Sequence, residues 1–239
     1  MTLPWEIIRP SGVHNGSFVE YSPLGISHIF GRWKPGLPAR PQPQALRVKT
    51  MLVLNPLYPE PLYWAEEESK ELERLIGRIE RPAPLDRQTI EKILERSDVQ
   101  IVHFNGHGDW DENADLAALR LENGDKIEAM SLASRRLGHD AHPIIYLNAC
   151  SVGRVAINVG RPGGFVANCL ESGWSGVIAP YWPVYDPRAK ELCVQLYTKL
   201  RVGYSIGEAL QDIRRNNPHD FTAQSYSYFG DPFARVLFT

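Results

Sequence analysis

Two side chains capable of nucleophilic chemistry follow apolar runs of this sequence. His107 lies near the end of Val99–Gly108 (VQIVHFNGHG), and Cys150 lies near the end of Pro143–Gly153 (PIIYLNACSVG). Cysteine attacks as the thiolate, but a free thiol with a pKa of about 8.5 is mostly protonated at neutral pH. A nearby imidazole can accept the thiol proton and later protonate a leaving amine. The pair therefore predicts covalent catalysis at a carbonyl carbon.

The residues around this pair also suggest where the developing negative charge would be stabilised. An attacked carbonyl oxygen becomes an oxyanion and needs hydrogen-bond donors directed at it. Gly108 has no side chain to shield its backbone N–H, and the backbone N–H of Cys150 is a second predicted donor. Small residues beside both positions leave room for an extended peptide.

The elements that must position these residues are two short apolar strands. Each run ends at small or polar residues, where a buried strand gives way to a loop. In an open parallel sheet, functional residues lie outside the carboxyl ends of the strands. Neighbouring strands are only ~5 Å apart, so adjacency in the sheet would bring His107 and Cys150 together.

The rest of the main body alternates strands with helices. Strands are predicted at Thr50–Asn55, before His107, before Cys150 and at Ser175–Pro180, and a turn at Asn123–Gly124 predicts a hairpin. Helices are predicted at Tyr63–Ile79, Gln88–Arg96, Met130–Leu137, Gly163–Glu171, Asp186–Arg201 and Ser205–Asn216, the last with a capping box, and the aromatic end Tyr226–Phe238 is predicted to be a strand region. This order predicts an α/β fold with a mostly parallel sheet and helices on both faces.

The N-terminal part has a different composition. Residues 17–22 and 25–32 predict a small β hairpin, and the proline-rich Pro35–Gln44 predicts an extended linker. The predicted domains are therefore an accessory hairpin with its linker at 1–45 and one main domain at 46–239.

Composition excludes several classes of function. The 239 residues carry a formal net charge of −2 with no basic tract, which argues against a direct nucleic-acid partner. Three widely spaced cysteines do not form a disulfide framework, which favours a reducing compartment. The N-terminus has no apolar signal core, and no apolar run is long enough to cross a membrane. We expect a soluble, cytoplasmic protein without a membrane partner.

The strings around the two reactive residues resemble a known family. HFNGHGD at His107 followed by YLNACSVG at Cys150 resembles the His-Gly and Ala-Cys motifs of caspase-like peptidases, and more specifically the CHAT family, related to separase. Four later strings, GGFVANCLESG, GVIAPYWPVYD, YTKLRVGYSIGEALQDIR and YFGDP, fit that family in order. The resemblance covers the chain from about Met51 to its end.

This resemblance implies a cysteine endopeptidase of caspase-like fold. It implies His107 as the general base and Cys150 as the nucleophile, with no obligatory third acid and no cofactor. It also implies that the domain belongs to a larger bacterial defence or signalling system, for example antiviral defence, and that a sensor or regulatory protein activates it against a protein substrate.

Asp186 in YWPVYDPRAK is the predicted substrate-binding residue. In separase-like relatives, an Asp in the matching string lines the pocket for the residue before the cut, which implies cleavage after Arg or Lys. The other interpretation remains equally open, because Asp186-Pro187 is also a good helix N-cap followed by proline at the first helical position.

Two other functions remain open at this point. A metal-dependent hydrolase would use His103, His107 and the carboxylates of Asp109 and Asp111, but the spacing contains no compact ligand set, so no metal is predicted. His103 lies within a predicted strand and is better interpreted as a core histidine. A caspase-like module that is catalytically silent is the second alternative.

Overall fold

The computed structural model describes residues 5–32, 45–111, 116–132, 135–149, 164–184 and 186–239. In chain order, the strands within these ranges are β1 (Ser11–His14), β2 (Ser17–Glu20), β3 (Ala45–Val48), β4 (Met51–Leu54), β5 (Ile101–Gly106), β6 (Gly108–Asp111), β7 (Leu116–Arg120), β8 (Lys126–Glu128), β9 (Ile144–Ala149), β10 (Gly176–Pro180), β11 (Tyr226–Gly230) and β12 (Arg235–Phe238). The α-helices are α1 (Leu24–Ser27), α2 (Tyr63–Ile76), α3 (Arg87–Leu94), α4 (Phe165–Glu171), α5 (Asp186–Arg201), α6 (Ile206–Asn216) and α7 (Phe221–Ser225).

A five-stranded sheet in the order β11-β10-β9-β5-β4 forms the centre of the molecule. Strands β4, β5, β9 and β10 run parallel, and β11 runs antiparallel to β10. Every residue of β5 and β9 is buried, as expected for parallel strands that are covered on both faces. The predicted mostly parallel sheet is confirmed.

Helices cover both faces of this sheet because successive side chains of a strand point to opposite sides. Val102 and Phe104 of β5 belong to one apolar cluster, which includes the buried faces of α3 and α4. Ile101 of β5 and Tyr146 of β9 belong to the second cluster, which includes buried residues of α2, α5 and α6. The predicted α/β fold with helices on both faces is therefore confirmed.

Several local predictions agree closely with the structure. Helix α5 has the predicted bounds, and α6 begins after Ser205 with the predicted capping box to Glu208. Asn123 and Gly124, with φ angles of 57° and 81°, lie between the antiparallel strands β7 and β8.

The N-terminal hairpin lies at other residues than predicted. It pairs β1 with β2 around Asn15-Gly16, which have φ angles of 50° and 78°. An Asn-Gly turn with both residues in the left-handed region matches the twist of the flanking strands. The segment predicted as the second strand, residues 25–32, instead begins within helix α1.

One predicted helix is also wrong. Met130–Leu137 does not form a continuous α-helix, because Ala129–Leu132 is a 3₁₀ turn and Leu137–Ala141 is a π-helical turn. Met130 is 56% exposed, whereas Leu132 and Leu137 are buried and lie five residues apart, a spacing that does not place them on one face of an α-helix.

The N-terminal residues are bound to the central sheet. The backbone N–H of Arg32 donates to Tyr228 of β11 at 2.9 Å, and Gly230 donates back to Arg32 at 2.9 Å. The predicted boundary between residues 45 and 46 stays a prediction. Within the described residues, no helix combines the length and apolar character needed to span a membrane.

Candidate active site

Strands β5 and β9 end beside each other at one edge of the sheet, and each precedes one of the two candidate catalytic residues in the sequence. They are adjacent and parallel, and their last residues, Gly106 and Ala149, are direct partners. His107 follows Gly106 in the chain and Cys150 follows Ala149. Cys150 itself lies outside the described residues, as do residues 151–163. The pairing thus joins the sequence neighbours of both predicted catalytic residues.

Tyr58 holds His107 at this edge. The backbone N–H of His107 donates to the Tyr58 hydroxyl at 3.1 Å, and that hydroxyl donates to the carbonyl of Arg120 at 2.9 Å. The N–H of Arg120 in turn donates to the carbonyl of His107 at 2.9 Å. The Tyr58 and His107 rings also lie 4.7 Å apart between centroids. Burial raises the pKa of Tyr58 to about 12, so its hydroxyl remains protonated at neutral pH.

Gly106 makes this arrangement possible. A Cβ at position 106 would lie 2.5 Å from the Tyr58 hydroxyl and 2.8 Å from the Phe104 ring. Contacts that short would force Tyr58 away from His107. No sequence pattern indicated a role for Tyr58, which lies in an irregular segment 49 residues before His107.

Of the two predicted oxyanion donors, only Gly108 lies within the described residues. Gly108 is buried, directly follows His107 and begins strand β6, where it pairs with Leu119. The second predicted donor, the backbone N–H of Cys150, lies outside the described residues. The oxyanion role of both residues stays a prediction.

Asp109 is held in ion pairs. Its carboxylate lies 2.6 Å from Arg120 Nη2 and 2.7 Å from Lys126 Nζ. The hydrogen bond from Arg120 is the main reason that the pKa of Asp109 is lowered. These ion pairs connect β6 to β7 and β8. This structural role accounts for the aspartate that lies two residues after His107. The Asp111 side chain is outside the described part of the structure.

His103 is a core histidine, as predicted. It is fully buried, with Nε2 at 2.7 Å from Glu68 Oε1 and Nδ1 at 3.3 Å from the Tyr197 hydroxyl. Among the described residues, the one group of three or more side chains able to bind a metal is Glu68, His103 and Cys193. His107 and Asp109 are not in it, so the structure does not bring them together with His103 as the metal-dependent alternative predicted.

The structure places Asp186 inside helix α5 rather than at the N-cap position before it, and the substrate-binding role of Asp186 stays a prediction. It is the first residue of helix α5, and it is half-buried in a small pocket that also includes Gly106, the residue before His107. The other residues around this pocket are Leu62, Trp64, Ala65, Glu68, Asn105 and Asn148. The pocket therefore lies beside the ends of strands β5 and β9, next to His107 in the chain.

Glu68 in this pocket was missed by sequence reasoning. It lies in the first half of helix α2 and is 1% exposed. Leu72 follows it by four residues and is also buried, so the two share one face of α2. A glutamate on the apolar face of a helix was the available signal.

The remaining cysteines of the described residues are core thiols. Cys169 and Cys193 are free and fully buried. Burial raises the pKa of both thiols, and a protonated, inaccessible thiol is a poor nucleophile.

Comparison with known proteins identifies the family to which the chain belongs. The model of the CHAT domain family matches residues 32–226. No curated protein matches the chain.

The fold is similar to that of solved peptidases. The Arg-specific cysteine proteinase gingipain R (RgpB) of Porphyromonas gingivalis matches with a TM-score of 0.52 and 13% identity, covering 79% of this chain and 48% of that one. The complex of the RgpB pro- and mature domains matches with a TM-score of 0.54 and 12% identity, over 78% and 48% of the two chains. The separase–securin complex of Saccharomyces cerevisiae has a TM-score of 0.49 at 13% identity, over 77% and 12%. The chain thus spans about half the length of the gingipain chains that it matches.

Proposed function

This chain belongs to the CHAT domain family and has the caspase-like cysteine peptidase fold, and we propose that it is an endopeptidase with His107 as the general base and Cys150 as the nucleophile. The observation that carries this proposal is the pairing of Gly106 with Ala149. It joins the residues before His107 and Cys150 at the carboxyl edge of a parallel sheet, where such folds place their chemistry.

The proposed reaction begins when the Cys150 thiol gives its proton to His107. The thiolate then attacks the scissile carbonyl carbon, a C–S bond forms, and the carbonyl electron pair moves to oxygen. Backbone N–H groups of Gly108 and Cys150 would stabilise this oxyanion. His107 protonates the leaving amine as the C–N bond breaks, which leaves a thioester. Water then attacks the thioester carbon while His107 accepts its proton. The C–S bond breaks, and His107 returns the proton to the sulfur, so that the acid product and the free thiol are released.

The proposed substrate is a protein cut after a basic residue. Asp186 supports this because its carboxylate lines the pocket beside Gly106, and carboxylates form strong charge-assisted hydrogen bonds with guanidinium and ammonium groups. Gingipain R, which shares the fold, is described as Arg-specific. We propose the same class of specificity, for basic residues, in this chain.

A regulatory partner completes the proposal. The family resemblance supports a cytoplasmic peptidase that a sensor or regulatory protein activates within a bacterial defence or signalling system, with antiviral defence as one case. An activity measurement should therefore include extract of the source cells as well as the purified chain.

A thiol-directed probe tests the dyad. A peptidyl acyloxymethyl ketone with Lys or Arg at its reactive end should label Cys150, as located by mass spectrometry of the digested protein. Cys150→Ala should abolish labelling, and His107→Ala should slow it by about three orders of magnitude, as for members of a catalytic unit. His14→Ala, at an exposed position, is the matched control and should label normally.

Two outcomes would contradict this function. Equal labelling of the Cys150→Ala chain would show that another group reacts. Absence of Cys150 labelling both alone and in extract would favour the catalytically silent module.

A further inference from the structure

Three side chains of the types that bind zinc meet on one face of the central sheet. Glu68 of α2, His103 of β5 and Cys193 of α5 each offer one ligand atom, and these atoms lie within 4.8 Å of one another. All three side chains are buried, with exposures of 1%, 0% and 0%. Cysteine sulfur, histidine nitrogen and carboxylate oxygen are the ligands that Zn²⁺ prefers in proteins. The cluster therefore has the composition of a zinc site.

The charges of the cluster favour a divalent cation. Burial raises the pKa of Cys193 well above its ordinary value, and the charge of Glu68 raises it further. A bound Zn²⁺ would offset both effects, because the ion stabilises the thiolate and the thiol proton passes to solvent. The carboxylate and the thiolate then supply two negative charges against the two positive charges of the ion. Charges in a protein core are stable when they are paired or bind a metal in this way.

Hydrogen bonds outside the cluster hold two of the ligands. His103 Nε2 lies 2.7 Å from Glu68 Oε1, and its Nδ1 lies 3.3 Å from the Tyr197 hydroxyl. A histidine that binds zinc usually holds its other ring nitrogen in a hydrogen bond, which makes Nε2 the ligand atom. Asn148 Nδ2 donates to Glu68 Oε2 at 2.8 Å, and Asn148 Oδ1 accepts from the Tyr226 hydroxyl at 2.8 Å. These bonds fix Glu68 with Oε1 beside His103.

Binding the ion requires only a small movement of Glu68. Zinc binds nitrogen and carboxylate oxygen at about 2.0–2.2 Å in a tetrahedron, so two such ligand atoms lie about 3.3–3.6 Å apart. His103 Nε2 and Glu68 Oε1, now 2.7 Å apart, would separate by less than about 1 Å. Small rotations of the glutamate side chain are sufficient for this separation.

Asn105 is an independent sign of a polar ligand beside this cluster. It follows His103 by two residues on β5, so both side chains point to the same face of the sheet. It is 3% exposed, and its amide nitrogen has no hydrogen-bond partner among the described residues. Asn105 and Glu68 line the same small pocket, whose volume of about 20 Å³ accommodates one water molecule. A metal-bound water in this pocket would accept from Asn105 and fill the fourth tetrahedral position.

We propose that Glu68 Oε1, His103 Nε2 and Cys193 Sγ bind one Zn²⁺ ion, with a water molecule as the fourth ligand. The ion links α2, β5 and α5 and stabilises this face of the sheet. The site differs from that of the metal-dependent hydrolase considered above, because neither His107 nor Asp109 belongs to it. It is also independent of the proposed peptidase activity.

Cobalt substitution tests the site directly. Co²⁺ bound by a thiolate in a tetrahedral site gives a thiolate-to-metal charge-transfer absorption and intense visible bands. The full chain carrying Cys150→Ala is stripped of metal with a chelator and titrated with CoCl₂, and this background excludes binding through the Cys150 thiol. One equivalent of Co²⁺ should bind with these bands, and excess Zn²⁺ should remove them.

Cysteine variants in the same background locate the thiolate. Cys193→Ala should abolish the charge-transfer band, whereas Cys169→Ala should leave it unchanged. Cys169 is the matched control because it is also a buried free thiol, but burial alone raises its pKa and it lies outside the ligand group. Thermal unfolding of each variant shows whether it is folded.

A variant that keeps all three ligands decides the matter if Cys193→Ala does not fold. Tyr197→Phe preserves the ring and removes the hydroxyl beside His103 Nδ1. Zinc affinity, measured by competition with a chromophoric chelator, should fall by about 10- to 100-fold, as for the loss of an outer hydrogen bond to a zinc ligand. Tyr204→Phe, at an exposed position, is the control and should bind zinc as tightly as the unmodified chain.

Three results would overturn the proposal. The first is a folded Cys150→Ala chain without the charge-transfer band. The second is a band that survives Cys193→Ala or disappears in a folded Cys169→Ala chain, because the thiolate ligand is then not Cys193. The third is zinc affinity that is unchanged in Tyr197→Phe, because the imidazole bound to the ion is then not that of His103.

Discussion

At the scale of single residues, the position of His107 depends on the hydroxyl of Tyr58. That hydroxyl accepts from the backbone of His107 and donates to Arg120, so it joins the start of β6 to the end of β7. Gly106 leaves the space that this hydroxyl occupies. Tyr58 is therefore a positioning residue. It contacts the backbone and the ring of His107 and would affect the reaction by holding His107 in place.

Replacing Tyr58 by phenylalanine should therefore slow catalysis without weakening substrate binding. The ring contact with His107 remains, but one hydrogen bond worth about 1 kcal/mol is lost. We expect kcat to fall by about 5- to 10-fold while KM is unchanged, measured on the best cleaved peptide.

The separation of kcat from KM distinguishes this role from a merely structural one. A structural defect would lower the melting temperature, whereas a displaced His107 lowers kcat in a chain that remains folded. Tyr63→Phe, at an exposed position, is the control. Unchanged kcat in a folded Tyr58→Phe chain would contradict the positioning role.

At the scale of elements, a capping box stabilises the N-terminus of helix α6. The backbone N–H of Ser205 donates to Glu208 Oε2 at 2.7 Å, and the backbone N–H of Glu208 donates to Ser205 Oγ at 3.3 Å. Ser205 is fully buried, so no water can replace its hydroxyl. Helix α6 packs beside α5 on one face of the sheet, and α5 begins at Asp186.

Ser205→Ala should lower the free energy of unfolding by about 1 kcal/mol, the usual cost of an N-cap serine. Urea unfolding followed by circular dichroism measures it. Ser17→Ala, at an exposed position in β2, is the matched control and should have no comparable effect. Equal stability of Ser205→Ala and the unmodified chain would show that the cap contributes little here.

At the scale of the whole molecule, one buried ionic cluster joins the N-terminal residues to the sheet. Glu6 is 1% exposed, forms an ion pair with Arg32 and accepts from Ser227 of β11 at 2.6 Å. Burial raises the pKa of Glu6, but the hydrogen bond and charge of Arg32, with the charge of Arg214, outweigh burial and lower it. Arg214 is itself buried and donates to the carbonyl of Tyr226 at 2.5 Å.

Glu6→Gln should lower the free energy of unfolding by about 3 kcal/mol at pH 7, because it leaves buried guanidinium groups without their counter-charge. A carboxyl whose folded pKa is below its ordinary value of 4.5 stabilises the fold above that pH and loses the effect as pH falls. The difference between Glu6→Gln and the unmodified chain should therefore shrink below about pH 4.5.

Urea unfolding at pH 7 and at pH 4 or below measures this difference. Glu20→Gln, which is exposed in β2, is the control. A difference that stays constant between the two pH values would contradict the ionic role of Glu6.

Much of the fold was predictable from local pattern. The short apolar strands before His107 and Cys150, the bounds of α5 and the cap at Ser205 follow from side-chain periodicity and from capping, which act over a few residues. The first hairpin forms at other residues than predicted, because Asn15-Gly16 supplies its turn. The predicted roles of His107, Cys150, Gly108 and Asp186 stay predictions, although Asp186 lies in the pocket beside Gly106.

By itself, the sequence determined the α/β class and the family, since strand periodicity and short motifs are properties of neighbouring residues. Only the tertiary structure decided that Tyr58 holds the His107 backbone and that Glu68 and Asn105 lie in the pocket with Asp186. Those contacts join segments that are distant in the chain, and burial depends on the packing of the whole sheet and its helices, so no local pattern specifies them.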